Sequence, residues 1–306
     1  MVPVNDAQHE NPPLTPESAE TTLRAACELV ELDSTDAVPL RLGENALFHL
    51  PSSGAVVRIA RSMARWADTV KEVTVSCWLA NSGIPVAHLF PGFCQPVVAA
   101  GRPVSFWAYL DGRNGGRTDV AALGRLLRRV HSLNTPRDFS LPVQQPMAWV
   151  LERVESAPIP DEDKRFLQDR FTELTQEVQG LTYPLATTPV HGDAHVQNLM
   201  IVDDNPVLID FERFAWGQPE WDLALTATEH LTAGWWTPQE YDAFADAYGY
   251  DVTDWGGFPV LQAAHEIKMT TWIMQNAQHN PEIAREYEIR MGTLRDRANL
   301  GGWRPF

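Results

Sequence analysis

Residues 191–224 read HGDAHVQNLMIVDDNPVLIDFERFAWGQPEWDLA, and the arrangement of this stretch decides the fold. Two short apolar runs, Asn198 to Val202 and Val207 to Asp210, flank the polar Asp203-Asp204-Asn205-Pro206, the pattern of two strands joined by a turn. In an antiparallel pair with Val202 opposite Val207, Leu199 falls opposite Asp210. Asn198 and Asp210 then share the open end, roughly 5 to 7 Å apart. A carboxylate beside an amide carbonyl offers two hard oxygen donors. That suits Mg2+, which takes one or two protein oxygens and leaves its other positions to water and phosphates. Asp193, on the loop entering this hairpin, is placed to accept the proton of an attacking hydroxyl.

Upstream, Thr15-Pro16-Glu17 predicts a helix start, with the helix running to about Glu31 and residues 1–15 staying loose before it. From Arg41 to Ile59 the runs Ala46 to Leu50 and Ala55 to Ile59, separated by Pro51-Ser52-Ser53-Gly54, predict a hairpin. Trp66, Val70, Val73 and Cys77 recur at helical spacing up to Gly83-Ile84-Pro85, and short strands are expected over 86–90, 95–100 and 103–110. Beyond Asp111-Gly112 the pattern is mainly helical, with Leu123, Leu126, Leu127 and Val130 on one face and further helices near 146–156 and 161–179. A β insertion around 187–211 interrupts the helices, which resume from 219. The expected division is therefore a sheet-rich part over 1–110 and a mainly helical part over 111–306.

The chain has 306 residues, 44% of them hydrophobic and 21% charged, the composition of an ordinary folded enzyme of one or two domains. Its 40 acidic against 24 basic residues give a net charge of -16. This argues against nucleic acid and against an anionic membrane as partners, because both are bound through Lys and Arg. Cys27, Cys77 and Cys94 are scattered without a paired spacing, so neither a disulfide framework nor a thiolate zinc site is implied. The N-terminal stretch lacks the basic start and apolar run of a secretory signal, and no later apolar run could span a bilayer; cytoplasmic residence is the expectation.

The linked set His191-Gly192-Asp193, Asn198, Ile209-Asp210, Gly217 and Trp221-Asp222-Leu223-Ala224 resembles the aminoglycoside phosphotransferase family of the protein kinase-like superfamily. The resemblance implies an α+β, bilobal kinase-like fold, with a small β-rich N-terminal nucleotide-binding lobe and a larger, mainly helical C-terminal lobe. Asp193 is then the catalytic base, Asn198 and Asp210 the metal ligands, and His191 and Asp222 supports of the catalytic loop. Upstream, Gly43-Glu44-Asn45-Ala46-Leu47-Phe48 resembles the nucleotide-covering turn, so Gly43 and Asn45 are implied at the nucleotide. Val56-Val57-Arg58-Ile59 resembles the strand whose cation pairs with phosphates, usually Lys and here Arg58, with Glu72 as its ion-pair partner. Phe106 to Leu110 corresponds to the hinge, where backbone groups at Phe106 and Tyr109 would meet the purine edge. The implied co-substrate is ATP or GTP, the implied metal Mg2+, and the implied acceptor a hydroxyl on a small molecule such as an aminoglycoside or another antibiotic.

Competing readings are weighed on the same residues. His191 and His195 stand four apart like a zinc pair, yet Gly192 breaks a helix between them and no third ligand is evident. Gly192-Asp193-Ala194-His195 also resembles the first motif of binuclear metallophosphoesterases, but no second such motif follows. A housekeeping metabolite kinase acting on choline, a sugar or an amino acid would use the same machinery, and a nucleotide-binding pseudokinase would draw on the Arg58 departure. Between Phe214 and Ile267 there are nine acidic residues and no Lys or Arg, with Trp216, Trp221, Trp235, Trp236 and Trp255 interleaved. This admits a cationic acceptor, against the plainer reading of a solvated acidic surface over a tryptophan-bearing core.

Overall fold

The computed structural model describes residues 14–43, 45–274, 277 and 280–305. Most of the expected loose start, and Glu44 of the implied nucleotide-covering turn, lie outside the described residues. The chain forms two compact units, one of residues 1–113 with 202–212, the other of residues 114–201 with 213–306.

The first unit opens with helix α1 (Pro16–Leu29), whose start is a reciprocal cap: Thr15 Oγ1 accepts from the Ser18 N–H, and Ser18 Oγ accepts from the Thr15 N–H. Strands β1 (Val38–Leu42), β2 (Asn45–Leu50), β3 (Ala55–Ala60), β4 (Val97–Ala99) and β5 (Arg102–Ala108) form an antiparallel sheet in the order β1-β2-β3-β5-β4. The β2–β3 turn falls on the Pro51 to Gly54 signal, with Gly54 at φ 66°. Alternation then sorts the faces. Ala46, Phe48 and Leu50 of β2 join Val57 and Ile59 of β3 and Phe106 of β5 in a core closed by Leu23, Ala26 and Cys27 of α1. Residues of opposite parity, Asn45, Leu47, Val56 and Arg58, stand on the other face, and Val56 joins Val73 of helix α2 (Trp66–Asn81) and Trp107 in a second cluster.

The expected strand over 86–90 does not form as such; it makes single bridges, Val86 to Leu208 and Leu89 to Trp107. Conversely, β1 was not expected from the sequence, because all five of its residues are exposed and carry no burial pattern. Short strands β6 (Arg113–Asn114), β8 (Leu199–Val202) and β9 (Asn205–Leu208) fall where the chain passes from one unit to the other. The turn between β8 and β9 is only Asp203-Asp204, both at positive φ (48° and 62°), two residues tighter than the sequence reading. Asn198 therefore sits in a short 3-10 turn before β8, and Asp210 lies beyond the end of β9 at φ 64°, neither of them within a strand.

The second unit is helical. It contains α3 (Val120–His131), α4 (Val150–Ser156), α5 (Asp161–Gln179), α6 (Glu220–Thr228), α7 (Pro238–Tyr248), α8 (Phe258–Met274) and α9 (Pro281–Asp296). Strands β7 (Thr188–Val190) and β10 (Ala215–Gly217) pair between them, Val190 opposite Ala215. α3 and α7 approach closely because Gly124 has no side chain: a Cβ there would lie 2.5 Å from the Phe244 carbonyl oxygen. Val154, Leu167, Leu174, Ile267, Met274, Tyr287 and Met291 close a separate core among α4, α5, α8 and α9.

Candidate active site

In the helical unit the loop leaving β7 is tied down before it presents any functional group. His191 is fully buried, and Gly192 turns the chain at φ 81°, where a Cβ would stand 2.3 Å from the Arg213 carbonyl oxygen. Asp222, in the first turn of α6 and itself buried, accepts the N–H of His191 at 2.7 Å and of Gly192 at 2.8 Å, and bonds His131 Nε2 at 3.0 Å. His131 Nδ1 lies 2.9 Å from the Tyr248 hydroxyl. Burial works to raise the Asp222 pKa, but the His131 bond and charge, the nearby His191 and the Gly192 bond outweigh it and hold the carboxyl below its ordinary value. An ionised Asp222 thus anchors two consecutive peptide groups of the loop.

Asp193 follows, half-exposed, with His195 Nε2 at 3.9 Å and Arg213 Nε at 3.8 Å from its Oδ2. Packing around it favours the neutral acid, yet the charges of His195, Arg213, Lys268 and His191 hold its pKa below the usual value, so it is an available base at neutral pH. Its carbonyl accepts from Asn198 Nδ2 at 2.8 Å. That bond commits the nitrogen of the amide and leaves Oδ1 as the acceptor side, the atom that would bind a hard cation. Nearby Glu229 is buried and accepts from Trp236 Nε1 at 2.9 Å. Burial pushes its pKa up to about 7, Asp193 adding to the rise while His195 and the Trp236 bond oppose it.

In the sheet unit Arg58 projects from β3 into a cluster of carboxylates. Its Nη1 donates to Glu72 of α2, its Nη2 donates to Glu212 Oε2 at 3.0 Å, and Asp210 Oδ1 lies 3.9 Å from Nη1. Arg65 Nη1 stands 3.5 Å from the other Glu212 oxygen, and Lys71 Nζ donates to the Glu212 carbonyl. Burial would lower the Arg58 pKa, but Glu72, Asp210 and Glu212 raise it, so the guanidinium is firmly cationic. Asn45, Arg58, Arg65, Asp68, Glu72 and Glu212 line a small pocket. The Asp210 side chain is nearly half exposed, so its carboxylate is open to a hydrated cation.

Phe106 buries its ring in the α1-facing core, its N–H donates to Gln95 Oε1 at 2.7 Å, and its carbonyl accepts from the Phe90 N–H at 2.9 Å. The Tyr109 N–H donates to the Gly54 carbonyl at 2.8 Å. These three backbone groups are engaged inside the sheet unit, and the Tyr109 carbonyl is not among them. What Tyr109 does present is its ring, stacked on His49 with centroids 3.8 Å apart. Gly43 is under no steric demand, since a Cβ would meet only Arg41 Nε at 3.7 Å.

The acidic stretch after Phe214 is largely consumed by structure. Glu220 accepts the Leu185 N–H, Asp222 anchors the loop, Glu229 holds Trp236, and Glu240 binds Arg117 while capping α7. Asp251 accepts from the Tyr241 hydroxyl, and Glu266 takes Thr232 and Arg297. Asp242, Asp246 and Asp254 are exposed. Sequence reasoning missed His131, Glu212, Arg213 and Lys268. Glu212 and Arg213 carried a signal, their places two and three residues after Asp210, whereas His131 and Lys268 stand far from any motif in the chain.

With this geometry in view, known proteins bear on the chain as follows. The model of the phosphotransferase enzyme family matches residues 38–261. No curated protein matches the chain. Among solved structures, the amicoumacin kinase hAmiN, in complex with AMP-PNP, Ca2+ and Ami, is similar with a TM-score of 0.70 at 15% identity, over 91% of this chain and 93% of that one. The APH(2")-IIia structure in complex with GDP and kanamycin has a TM-score of 0.63 at 14% identity, over 90% and 99%. A choline/ethanolamine kinase family protein from Mesorhizobium loti has a TM-score of 0.60 at 16% identity, over 90% and 93%. At such identities the likeness is one of fold: an antiparallel sheet unit and a helical unit of the kinase-like α+β class.

Proposed function

Since the chain belongs to the phosphotransferase enzyme family, we propose that it moves the γ-phosphoryl group of ATP or GTP to a hydroxyl of a small molecule, with Mg2+ as the metal. The observation that carries this is Asp193: an ionised carboxylate on a loop whose two preceding peptide N–H groups are held by Asp222. Asp193 orients the acceptor hydroxyl and takes its proton as the oxygen attacks. Asn198 Oδ1 and the Asp210 carboxylate would hold the metal, whose charge offsets that of the phosphates. Arg58, braced by Glu72, positions phosphate oxygens, and Asn45 lies beside it. In this reading residues 1–110 bind the nucleotide, residues 111–306 carry catalysis and acceptor binding, and the reaction takes place in the cytoplasm.

For the acceptor we favour an aminoglycoside or another antibiotic, which would make the chain a resistance or self-resistance enzyme. Likeness in fold to an amicoumacin kinase and to a kanamycin-bound structure supports this. Likeness to a choline/ethanolamine kinase family protein supports the second reading, a metabolite kinase. The test is Mg2+-dependent consumption of ATP and GTP against aminoglycosides, peptide and nucleoside antibiotics, choline and simple sugars, with Asp193→Ala as control. Turnover with one class, lost in the control, establishes the reaction and its acceptor; turnover unchanged in the control sinks the role of Asp193.

A further inference from the structure

Beyond α6 the helix continues as one π-helical turn, Glu229–Ala233, and stops at Gly234, whose φ is 74°. A π turn is uncommon in proteins and occurs frequently at functional sites. Here it is supported from outside. The Gly301 N–H donates to the Thr232 carbonyl at 2.8 Å, filling one of the acceptors that a helix end leaves open. A Cβ on Gly234 would lie 2.6 Å from Gly301 Cα, so the two segments approach this closely only because residue 234 is glycine. The segment carrying Gly301 is itself fastened to α9. Trp303 is buried, its Nε1 donates to Thr293 Oγ1 at 3.0 Å, and the Arg290 guanidinium lies 4.7 Å from its ring centroid. The Arg304 N–H donates to Glu286 Oε1 at 2.9 Å. From this anchored segment the Trp303 carbonyl accepts from Trp235 Nε1 at 2.8 Å.

Trp235 passes that constraint on. Its carbonyl accepts from Arg117 Nη1 at 2.6 Å, while Arg117 Nε donates to Glu240 Oε1 at 2.9 Å. Two residues before Arg117, the Gly115 N–H donates to the Leu199 carbonyl at 2.8 Å, and a Cβ at Gly115 would stand 2.3 Å from the Val196 carbonyl oxygen. Gly116 between them is tied by its N–H to Asp119 Oδ2 at 2.8 Å. The turn so gripped, Val196–Asn198, carries the amide read above as a metal ligand. Every link from Trp303 to this turn lies within the helical unit. We propose that Arg117 is a positioning residue: held by Trp235 and Glu240 and, behind Trp235, by residues 301–304, it sets the approach of Gly115 to the Val196–Asn198 turn and so the aim of the Asn198 amide. This role presupposes Asn198 as a metal ligand. The Arg117 side chain is more than half exposed, and an exposed ion pair adds little to global stability. Its loss is therefore felt at the turn and not by the fold as a whole.

The test compares the full chain with Arg117→Gln, Arg117→Lys and Trp235→Phe, the last removing only the donor to Trp303. Two readouts need no turnover: amide hydrogen exchange of peptides spanning 195–200, and the Mg2+ concentration that half-saturates ATP or GTP binding. In Arg117→Gln, exchange about tenfold faster, on the scale of one charged hydrogen bond lost locally, and a Mg2+ requirement raised severalfold support the role. Arg117→Lys, which keeps a cationic donor, should restore part of both, and Trp235→Phe should shift both in the same direction by less. Unchanged exchange in Arg117→Gln overturns the role, as does faster exchange with an unchanged Mg2+ requirement, which would make Arg117 an ordinary brace. Nucleotide binding indifferent to Mg2+ in the wild type overturns the metal reading of Asn198 and this role with it. The phosphotransferase reading fails separately, through the Asp193→Ala turnover control.

Discussion

Arg58 Nη2 donates to Glu212 Oε2 at 3.0 Å across 154 residues of sequence, while Nη1 of the same guanidinium donates to Glu72. One planar fork therefore serves two carboxylates, one on α2 and one beside Asp210. A lysine has a single ammonium and cannot span both. Arg58→Lys should retain the Glu72 pairing and lose the Glu212 one, lowering stability by about 1 kcal/mol and raising the nucleotide KM severalfold. Urea denaturation and nucleotide saturation curves check the two effects. Unchanged values in both would mean that the second carboxylate does nothing for Arg58.

Gly192 combines a positive φ of 81° with a hypothetical Cβ only 2.3 Å from the Arg213 carbonyl oxygen. Gly192→Ala must displace either the loop of His191 to Asp193 or the Arg213 backbone. The expected cost is about 2 kcal/mol or more, with kcat falling further than the stability loss alone explains. Thermal unfolding and turnover measured side by side distinguish strain from simple unfolding.

For Asp222 the folded pKa lies below the ordinary 3.8. The unfolded state therefore binds the proton first as pH falls. The stability contributed by this group is present above pH 3.8 and is lost as pH drops through the folded pKa. Asp222→Asn should be less stable than the wild type at neutral pH, by about 3 kcal/mol, because His131 and two backbone N–H groups lose an ionised acceptor. The difference should shrink toward acid, as urea midpoints from pH 7 down to 3 would show.

Glu229 behaves with the opposite sign. Its folded pKa, about 7, lies above the ordinary 4.5, so the folded state binds the proton more tightly. The contribution is fully present below pH 4.5 and is lost as pH rises toward 7. Glu229→Gln keeps an acceptor for Trp236 Nε1 and removes the titration. The variant should gain on the wild type by about 1–3 kcal/mol between pH 4.5 and 8, seen as a flatter dependence of melting temperature on pH. A wild-type slope unchanged by the substitution would sink the assignment.

Asp193 and Asp210 should separate kinetically. Asp193→Ala is expected to lower kcat by about 10²–10⁴ with nucleotide affinity nearly unchanged. Asp210→Ala is expected to remove the Mg2+ dependence along with turnover. Nucleotide binding measured by fluorescence titration, with and without Mg2+, distinguishes the two roles.

Much of this was legible in the chain itself, wherever the governing interactions are local. The Thr15 cap, the hairpin at Pro51 to Gly54 and the apolar face of α3 follow from turn chemistry and periodicity over a few residues. The loop motif at His191 to Asp193 was readable for the same reason, since its residues are chain neighbours. The same local rules misplaced the ends of β8 and β9, because one turn type was read for another and each strand end moved with it.

By itself, then, the sequence determined the kinds of element, their order and the family motif. Tertiary structure alone decided which charges meet. The packing of 202–212 with the first unit brings Glu212 to Arg58, and the end of α3 brings His131 to Asp222. A lone Glu, His or Lys on a helix or loop carries no pattern in one dimension. Its partner lies scores of residues away, and only burial, which makes an unpaired charge costly, selects that partner.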